Sequence, residues 1–327
     1  MSIKKWALIA FPSGYGKSLT YEIPEGVSVS IGNWVLIPLG KREVWGAVMT
    51  FSSSKPSFAC KEIIEVYSQY SISKEVLNRL NWIAEYYFGG MNRALDISFP
   101  KDWLKWKRVA ATESKINADV RPAPLLSKIQ SESLVKMAKM DSYLLHGVTG
   151  SGKTRVYLEL IKKCLAENKV ALLLVPEIGL TPQLTHEIQS YISQEVDVWH
   201  SNLSATVRKR TFRRVLENKV NVMLGTRSAI MTPLENLGLV IVDEEHDSSF
   251  KQENPTPRYN ARDLSLWIGS NEKVKVVLGS ATPSLDTYSL VHKHKITLVE
   301  MKQRVVAKSL PSINIIDMTE QIQNQGK

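Results

Sequence analysis

Residues Gly147-Val148-Thr149-Gly150-Ser151-Gly152-Lys153-Thr154 fill the pattern G-x-x-x-x-G-K-[ST] without a mismatch. Small residues let the backbone turn tightly, so successive N–H groups converge on a phosphate. In this pattern the lysine reaches the β- and γ-phosphates and the hydroxyl coordinates Mg²⁺, roles that fall to Lys153 and Thr154. The flanks agree with it. Ser142-Tyr143-Leu144-Leu145-His146 reads as a buried strand, and Val156-Tyr157-Leu158-Glu159-Leu160-Ile161 as a helix. A strand, this loop and a helix together predict an ATP-binding P-loop fold.

The α/β pattern extends on both sides. From about residue 125, apolar runs at 143–146, 170–176, 196–200, 221–225, 239–242, 273–278 and 296–299 alternate with helical stretches. Such alternation predicts a mostly parallel sheet with helices on both faces. The run at 239–242 leads straight into Asp243-Glu244-Glu245-His246. An acidic pair at a strand end supplies what phosphoryl transfer needs: Asp243 to hold Mg²⁺, and Glu244 to orient and deprotonate the attacking water.

The first hundred residues read differently. Short apolar runs at 6–11, 19–23, 34–39, 44–51 and 63–67 are separated by turn signals such as Pro24-Glu25-Gly26 and Leu39-Gly40-Lys41. They predict a small β-rich domain, followed by helical spacing over 74–88. Gly14-Tyr15-Gly16-Lys17-Ser18 imitates a phosphate loop but lacks its first glycine, and reads as a turn. Lys101-Asp102-Trp103-Leu104-Lys105-Trp106-Lys107-Arg108 interleaves aromatics with bases. It fits either base stacking with phosphate pairing or the end of a domain with tryptophans in its core. Residues 109–124, ending Arg121-Pro122-Ala123-Pro124, read as a linker.

Composition sets limits. The 327 residues are 43% hydrophobic and carry 42 Lys+Arg against 32 Asp+Glu, a net charge of +10. This balance suits a polyanionic partner. Two cysteines exclude a zinc cluster and argue against a disulfide scaffold. No apolar run reaches membrane-spanning length, and Met1-Ser2-Ile3-Lys4-Lys5-Trp6 is unlike a signal peptide, so a cytoplasmic location without membrane association is expected. Arg208, Lys209, Arg210, Arg213 and Arg214 cluster on a predicted helix, as phosphate contacts or as an ordinary charged face.

The acidic motif together with Gly279-Ser280-Ala281-Thr282-Pro283-Ser284 resembles motifs II and III of superfamily 2 helicases. Several stretches resemble more specifically the primosomal replication-restart helicases of the PriA family. They include Val175-Pro176-Glu177-Ile178-Gly179-Leu180-Thr181-Pro182-Gln183, His200-Ser201, Gly225-Thr226-Arg227-Ser228-Ala229, and much of 242–264. The resemblance implies a RecA-like first motor lobe preceded by a domain for the 3′ end of a nascent strand. It implies that Ser280, Ala281 and Thr282 couple hydrolysis to movement. It also implies an aromatic-rich loop containing Phe250, Lys251 and Tyr259 that senses DNA. Gln130 resembles a residue that reads the adenine edge, with a surface helix position as its alternative. Lys41, His200, Thr226 and Arg227 are the implied DNA contacts. At Leu19 and Thr20 the chain departs from the family's Phe-Asp pair.

The resemblance implies a domain plan of 1–105 (DNA binding), 106–124 (a linker where the family has a winged helix), 125–305 (motor lobe 1) and 306–327. In the last segment Pro311-Ser312-Ile313-Asn314-Ile315-Ile316-Asp317-Met318 resembles the opening of lobe 2. The expected function is an ATP- and Mg²⁺-dependent 3′→5′ DNA helicase. It would recognise stalled or restarted forks and start primosome assembly, present here as a portion without lobe 2. The alternative is a fork-DNA- and ATP-binding module without productive hydrolysis. Forked or branched DNA, single-strand-binding protein and primosome proteins are the implied partners. The family's zinc insertion has no cysteines here.

Overall fold

The computed structural model describes residues 6–12, 17–54, 56–101, 103–106 and 125–305. The turn expected at 14–16, the linker from 107 to 124 and the segment 306–327 lie outside the described residues.

Five N-terminal strands are Trp6–Ala10 (β1), Leu19–Glu22 (β2), Asn33–Leu39 (β3), Arg42–Ser52 (β4) and Glu65–Ser71 (β5). They form one antiparallel sheet in the order β2-β1-β4-β3-β5. The β3–β4 turn is Gly40-Lys41, with Gly40 at φ +62°, a conformation glycine adopts without steric cost. Two helices follow, Lys74–Tyr86 (α1) and Met91–Ser98 (α2). Ser73 caps α1 by accepting from the Val76 amide, and Val76, Leu80 and Ile83 fall on one buried stripe.

Seven further strands are Ser142–Gly147 (β6), Val170–Leu174 (β7), Val196–Trp199 (β8), Val222–Gly225 (β9), Leu237–Asp243 (β10), Lys275–Ser280 (β11) and Thr297–Met301 (β12). All pair in parallel, in the order β12-β6-β11-β10-β7-β9-β8. The intervening helices are Lys128–Lys136 (α3), Lys153–Ala166 (α4), Pro182–Ile192 (α5), Ala205–Leu216 (α6), Ala261–Glu272 (α7) and Leu285–His292 (α8). A parallel sheet buried on both faces needs strands that are apolar throughout. In β10, Leu239 and Ile241 bury into one cluster while Val240 and Val242 bury into the other. The first cluster is closed by α3, α4 and α5 through Leu134, Val156, Leu160, Ile161 and Ile188. The second is closed by α6 and α7 through Phe212, Val215, Leu264 and Ile268, and it runs on into the N-terminal helices.

Trp103 decides the open reading of its stretch. It is buried against Trp34, Phe99 and Phe212, with centroids 5.4, 5.8 and 5.9 Å away, so it belongs to the core joining the two sheets. Trp106 packs on Phe212 and lies beneath the Lys209 ammonium. The basic helix is likewise engaged. Arg208 donates to Ser201 O, Arg213 to Trp106 O, and Arg210 and Arg214 pair with Glu195 and Asp197. These charges hold α6 to β8 and to the N-terminal unit.

A polar contact also joins the units. Arg79 of α1, only 5% exposed, forks onto Glu272 of α7 at 2.7 and 2.6 Å and donates to Leu234 O at 2.8 Å. Beside it the Trp82 and Trp267 rings stack at 5.3 Å.

Candidate nucleotide site and its links

β6, β11 and β10 are neighbours, and their carboxyl ends carry the phosphate-loop pattern, Gly279-Ser280-Ala281-Thr282 and the acidic motif. Parallel register sets Asp243 beside Gly279 and Ser280 beside His146. In open α/β sheets ligands bind outside such strand ends. The sheet therefore brings together motifs about ninety and forty residues apart in sequence, as their spacing predicts.

The loop leaves β6 and turns into α4 through Gly150 and Gly152, at φ +80° and +81°. A side chain at Gly152 would collide with Gln130 Nε2, 2.4 Å from the Cβ position. Gln130 is 3% exposed. Its carboxamide accepts from Ser127 N and donates to Gly152 O, so it braces the loop from behind. Val148 N bonds to Met301 O and Val305 N to Gly150 O, which fixes the other side. The N-terminus of α4 has no side-chain cap. The buried Ser151 Oγ has no partner. Free helix N–H groups and an orphaned hydroxyl suit a phosphate chain, so the residues fit ATP. Lys153 Nζ bonds to Gly147 O at 3.0 Å and stands 3.8 Å from Glu244, pointing along the loop toward the acidic pair.

Tyr157, four residues after Lys153 on the same face of α4, donates its hydroxyl to Asp243 Oδ1 at 2.8 Å. Burial raises the Asp243 carboxyl above its ordinary value of 3.8, and the Tyr157 bond opposes that rise. A raised folded-state value means that Asp243 favours folding fully only below its unfolded value. That contribution is lost as pH rises through the folded one. A bound cation would reverse the penalty, so Asp243 fits Mg²⁺. Tyr157→Phe is expected to weaken Mg²⁺-nucleotide binding, because without the Tyr157 bond Asp243 holds its proton more tightly. It should also move the acid limb of binding to higher pH. Titration of a fluorescent ATP analogue with Mg²⁺ across pH checks both effects.

The residues expected to couple hydrolysis to movement form a hydrogen-bond network. His246 Nδ1 and Ser280 Oγ share a hydrogen bond at 2.8 Å, and Ser280 Oγ accepts from Thr282 N. Glu245 matters more than the sequence suggested. Its side chain is fully buried and accepts from Ser284 N, Ser284 Oγ and Thr287 Oγ1 at 2.7, 3.1 and 2.7 Å, with Arg262 Nη1 at 3.5 Å. Only its place in an Asp-Glu-Glu run could have signalled this. Phe250 and Tyr259, expected as sensing aromatics, are each 1% exposed. They pack inside the loop, and Tyr259 donates to Arg227 O at 3.4 Å. Lys251 is exposed.

Of the expected DNA contacts, the paired ends of β8 and β9 bring His200 and Thr226 together, with Thr226 N bonded to Trp199 O. Thr226 is buried, and Arg227 donates to Ser249 O and Lys251 O, so both order backbone. Lys41 stands apart and exposed on the smaller sheet. Beside it, Lys61 donates to Gly40 O at 3.4 Å.

Residues 127–291 match the DEAD/DEAH box helicase family, and residues 8–100 match the 3′DNA-binding domain (3′BD) family of PriA. This chain belongs to the PriA family of DEAD/DEAH box helicases. It is 35% identical to the replication restart protein PriA of Rickettsia felis over 317 residues, which are 96% of this chain and 48% of that protein. It is 43% identical to PriA of Synechocystis over 222 residues, 66% of this chain and 26% of that protein. The solved structure of RecG bound to a three-way DNA junction aligns with a TM-score of 0.42 at 19% identity, covering 55% of this chain and 24% of that one. The chain thus spans about half or less of the length of the PriA proteins it matches. Among the described residues no helix is long and apolar enough to cross a membrane.

Proposed function

We propose that this chain carries the ATP-driven motor lobe and the DNA-end-binding domain of a 3′→5′ replication-restart helicase. Its DNA would be forked or branched, and its protein partners single-strand-binding protein and primosome proteins. The convergence of Lys153, Asp243 and Glu244 at the carboxyl ends of β6 and β10, the two strands that flank β11, on a lobe joined to the N-terminal unit, supports this best.

In this reading the α4 N-terminus and the loop amides hold the phosphates, and Lys153 leaves its Gly147 and Glu244 partners to meet the γ-phosphoryl oxygens. Glu244 orients and deprotonates the attacking water. Thr154 and Asp243 would hold Mg²⁺, which would supply positive charge against the phosphates. Gln130 meets the adenine edge only if its brace to Gly152 opens. Coupling runs from His246 to Ser280 and Thr282, and from Glu245 to Ser284. Lys41, His200, Thr226 and Arg227 line the DNA path, the last two through the backbone they order.

A second reading is a module that binds DNA and ATP without turnover. In two-lobed helicases an arginine of the second lobe stabilises the transferring phosphoryl, an effect worth about 10³–10⁵ in rate. Lys153→Ala is expected to abolish binding of a fluorescent ATP analogue and leave DNA binding intact. Equal nucleotide affinity in the variant and the parent would refute the site. Steady-state hydrolysis with and without forked DNA separates the two readings.

A further inference from the structure

The loop 251–260 is held from two directions. From the motor lobe, Arg227 donates to Ser249 O and Lys251 O, and Tyr259 donates back to Arg227 O. Internally, Gln252 Nε2 donates to Pro255 O and Pro257 O at 2.8 and 3.0 Å. From the N-terminal unit, three contacts converge just past the end of α1. The Tyr87 hydroxyl accepts from the Asn260 amide at 3.0 Å. The Lys251 ammonium, which also donates to Arg258 O, stands 5.2 Å from the Tyr87 ring centre. Gly89 lies so close to Pro257 that a Cβ there would come within 2.8 Å of its side chain.

The far end of the loop is linked to the acidic motif. Asn260 caps α7, and its side chain accepts from the Arg262 amide. The Arg262 guanidinium then bonds Ser284 Oγ at 2.9 Å and lies 3.5 Å from Glu245. One residue of the N-terminal unit therefore touches both ends of the loop, and the loop's second end is two residues from a partner of the acidic motif. Burial pushes the Tyr87 phenol up to about 12, so the hydroxyl stays neutral and the contact is insensitive to physiological pH.

We propose that Tyr87 is a positioning residue through which the N-terminal unit sets the 251–260 loop, so that DNA bound to that unit changes nucleotide affinity at the loop beside β6. This rests on the nucleotide- and DNA-binding reading above. The mechanism needs only that DNA favours one arrangement of the α1–α2 turn over another. The Asn260 amide and Lys251 follow the phenol, and Arg262 carries the difference to Glu245. A coupling of this kind is typically about 5- to 150-fold in affinity and is reciprocal between the two ligands. Because coupling is a ratio of binding constants, it is measurable without turnover.

The experiment measures the affinity of a fluorescent ATP analogue with and without a saturating 3′-ended single strand, for the full chain and for Tyr87→Phe. The phenylalanine keeps the ring under Lys251 and removes only the acceptor. The expected result is a coupling ratio of at least about 5 in the parent, falling toward 1 in the variant. Each single-ligand affinity should stay within about twofold, because Tyr87 contacts neither ligand. Tyr87→Ala, checked by melting for an intact fold, should abolish coupling as well. Both ligands binding to the parent with a ratio of 1, or an unchanged ratio in both variants, overturns the proposal and leaves the site reading standing. A parent that binds no nucleotide overturns both.

Discussion

Glu245→Ala is expected to destabilise the chain by about 3–5 kcal/mol, because it strips the main buried carboxylate from a buried arginine and from three further donors. The Arg262 side chain is 12% exposed and keeps only Asp263 and the solvent-facing Asp286, at 3.2 and 3.5 Å. Ser284 N, at the start of α8, loses its 2.7 Å acceptor. An unsatisfied buried amide adds to the cost, and the helix loses a negative charge at its N-terminus. A fall in melting temperature on the order of 10 °C follows for a domain of this size. Glu245→Gln keeps the shape and the Ser284 acceptor, and is expected to recover part of the stability. Functionally, both variants loosen the join between the acidic motif and the turn that follows Ser280, so nucleotide and DNA binding should lose their coupling. A melting temperature unchanged in Glu245→Ala would show that the buried carboxylate does not hold this region together.

Arg79→Ala is expected to be as costly, about 3–5 kcal/mol, and the loss falls on the join between the two sheets. Glu272 would be left buried and unpaired, its side chain only 8% exposed in the intact pair. Leu234 O would lose its donor as well. Melting should therefore shift down and split into two transitions, one for each unit. The double replacement Arg79→Met with Glu272→Leu should restore most of the loss, since well-packed apolar pairs replace buried ion pairs at little cost. A single, unshifted transition in Arg79→Ala would mean that the aromatic contacts around Trp82 and Trp103 suffice to hold the units together.

Much of this was legible in the chain. The phosphate loop, the acidic strand end and the strand alternation rest on local rules: glycine where the backbone must turn left-handed, an apolar run where a strand is buried on both faces, a carboxylate where it stops. All seven predicted strands of the larger sheet are present, and the five N-terminal runs form one sheet. The resemblance to helicase motifs agrees with the family matches. Trp103 and the arginine-rich helix could not be decided in the same way. An aromatic or a cation between polar neighbours looks the same whether it meets a base, a phosphate or another part of the fold. Only Phe212 across the interface, and Glu195 and Asp197 at the edge strand, separate these alternatives.

The same limit applies at the site. Lys153, Asp243 and Glu244 stand in local patterns with characteristic neighbours in sequence, so pattern alone singled them out as candidates. Tyr157, Glu245, Arg262, Arg79 and Tyr87 act through partners 17 to 193 residues away. Their roles come from strand order and helix docking, which bring distant groups within hydrogen-bond reach and exclude water from them. Sequence determined which chemistry this chain can attempt, because that chemistry is written in local backbone and side-chain requirements. Tertiary structure alone decided how the parts communicate, because a buried charge acquires its meaning from whatever the fold sets against it.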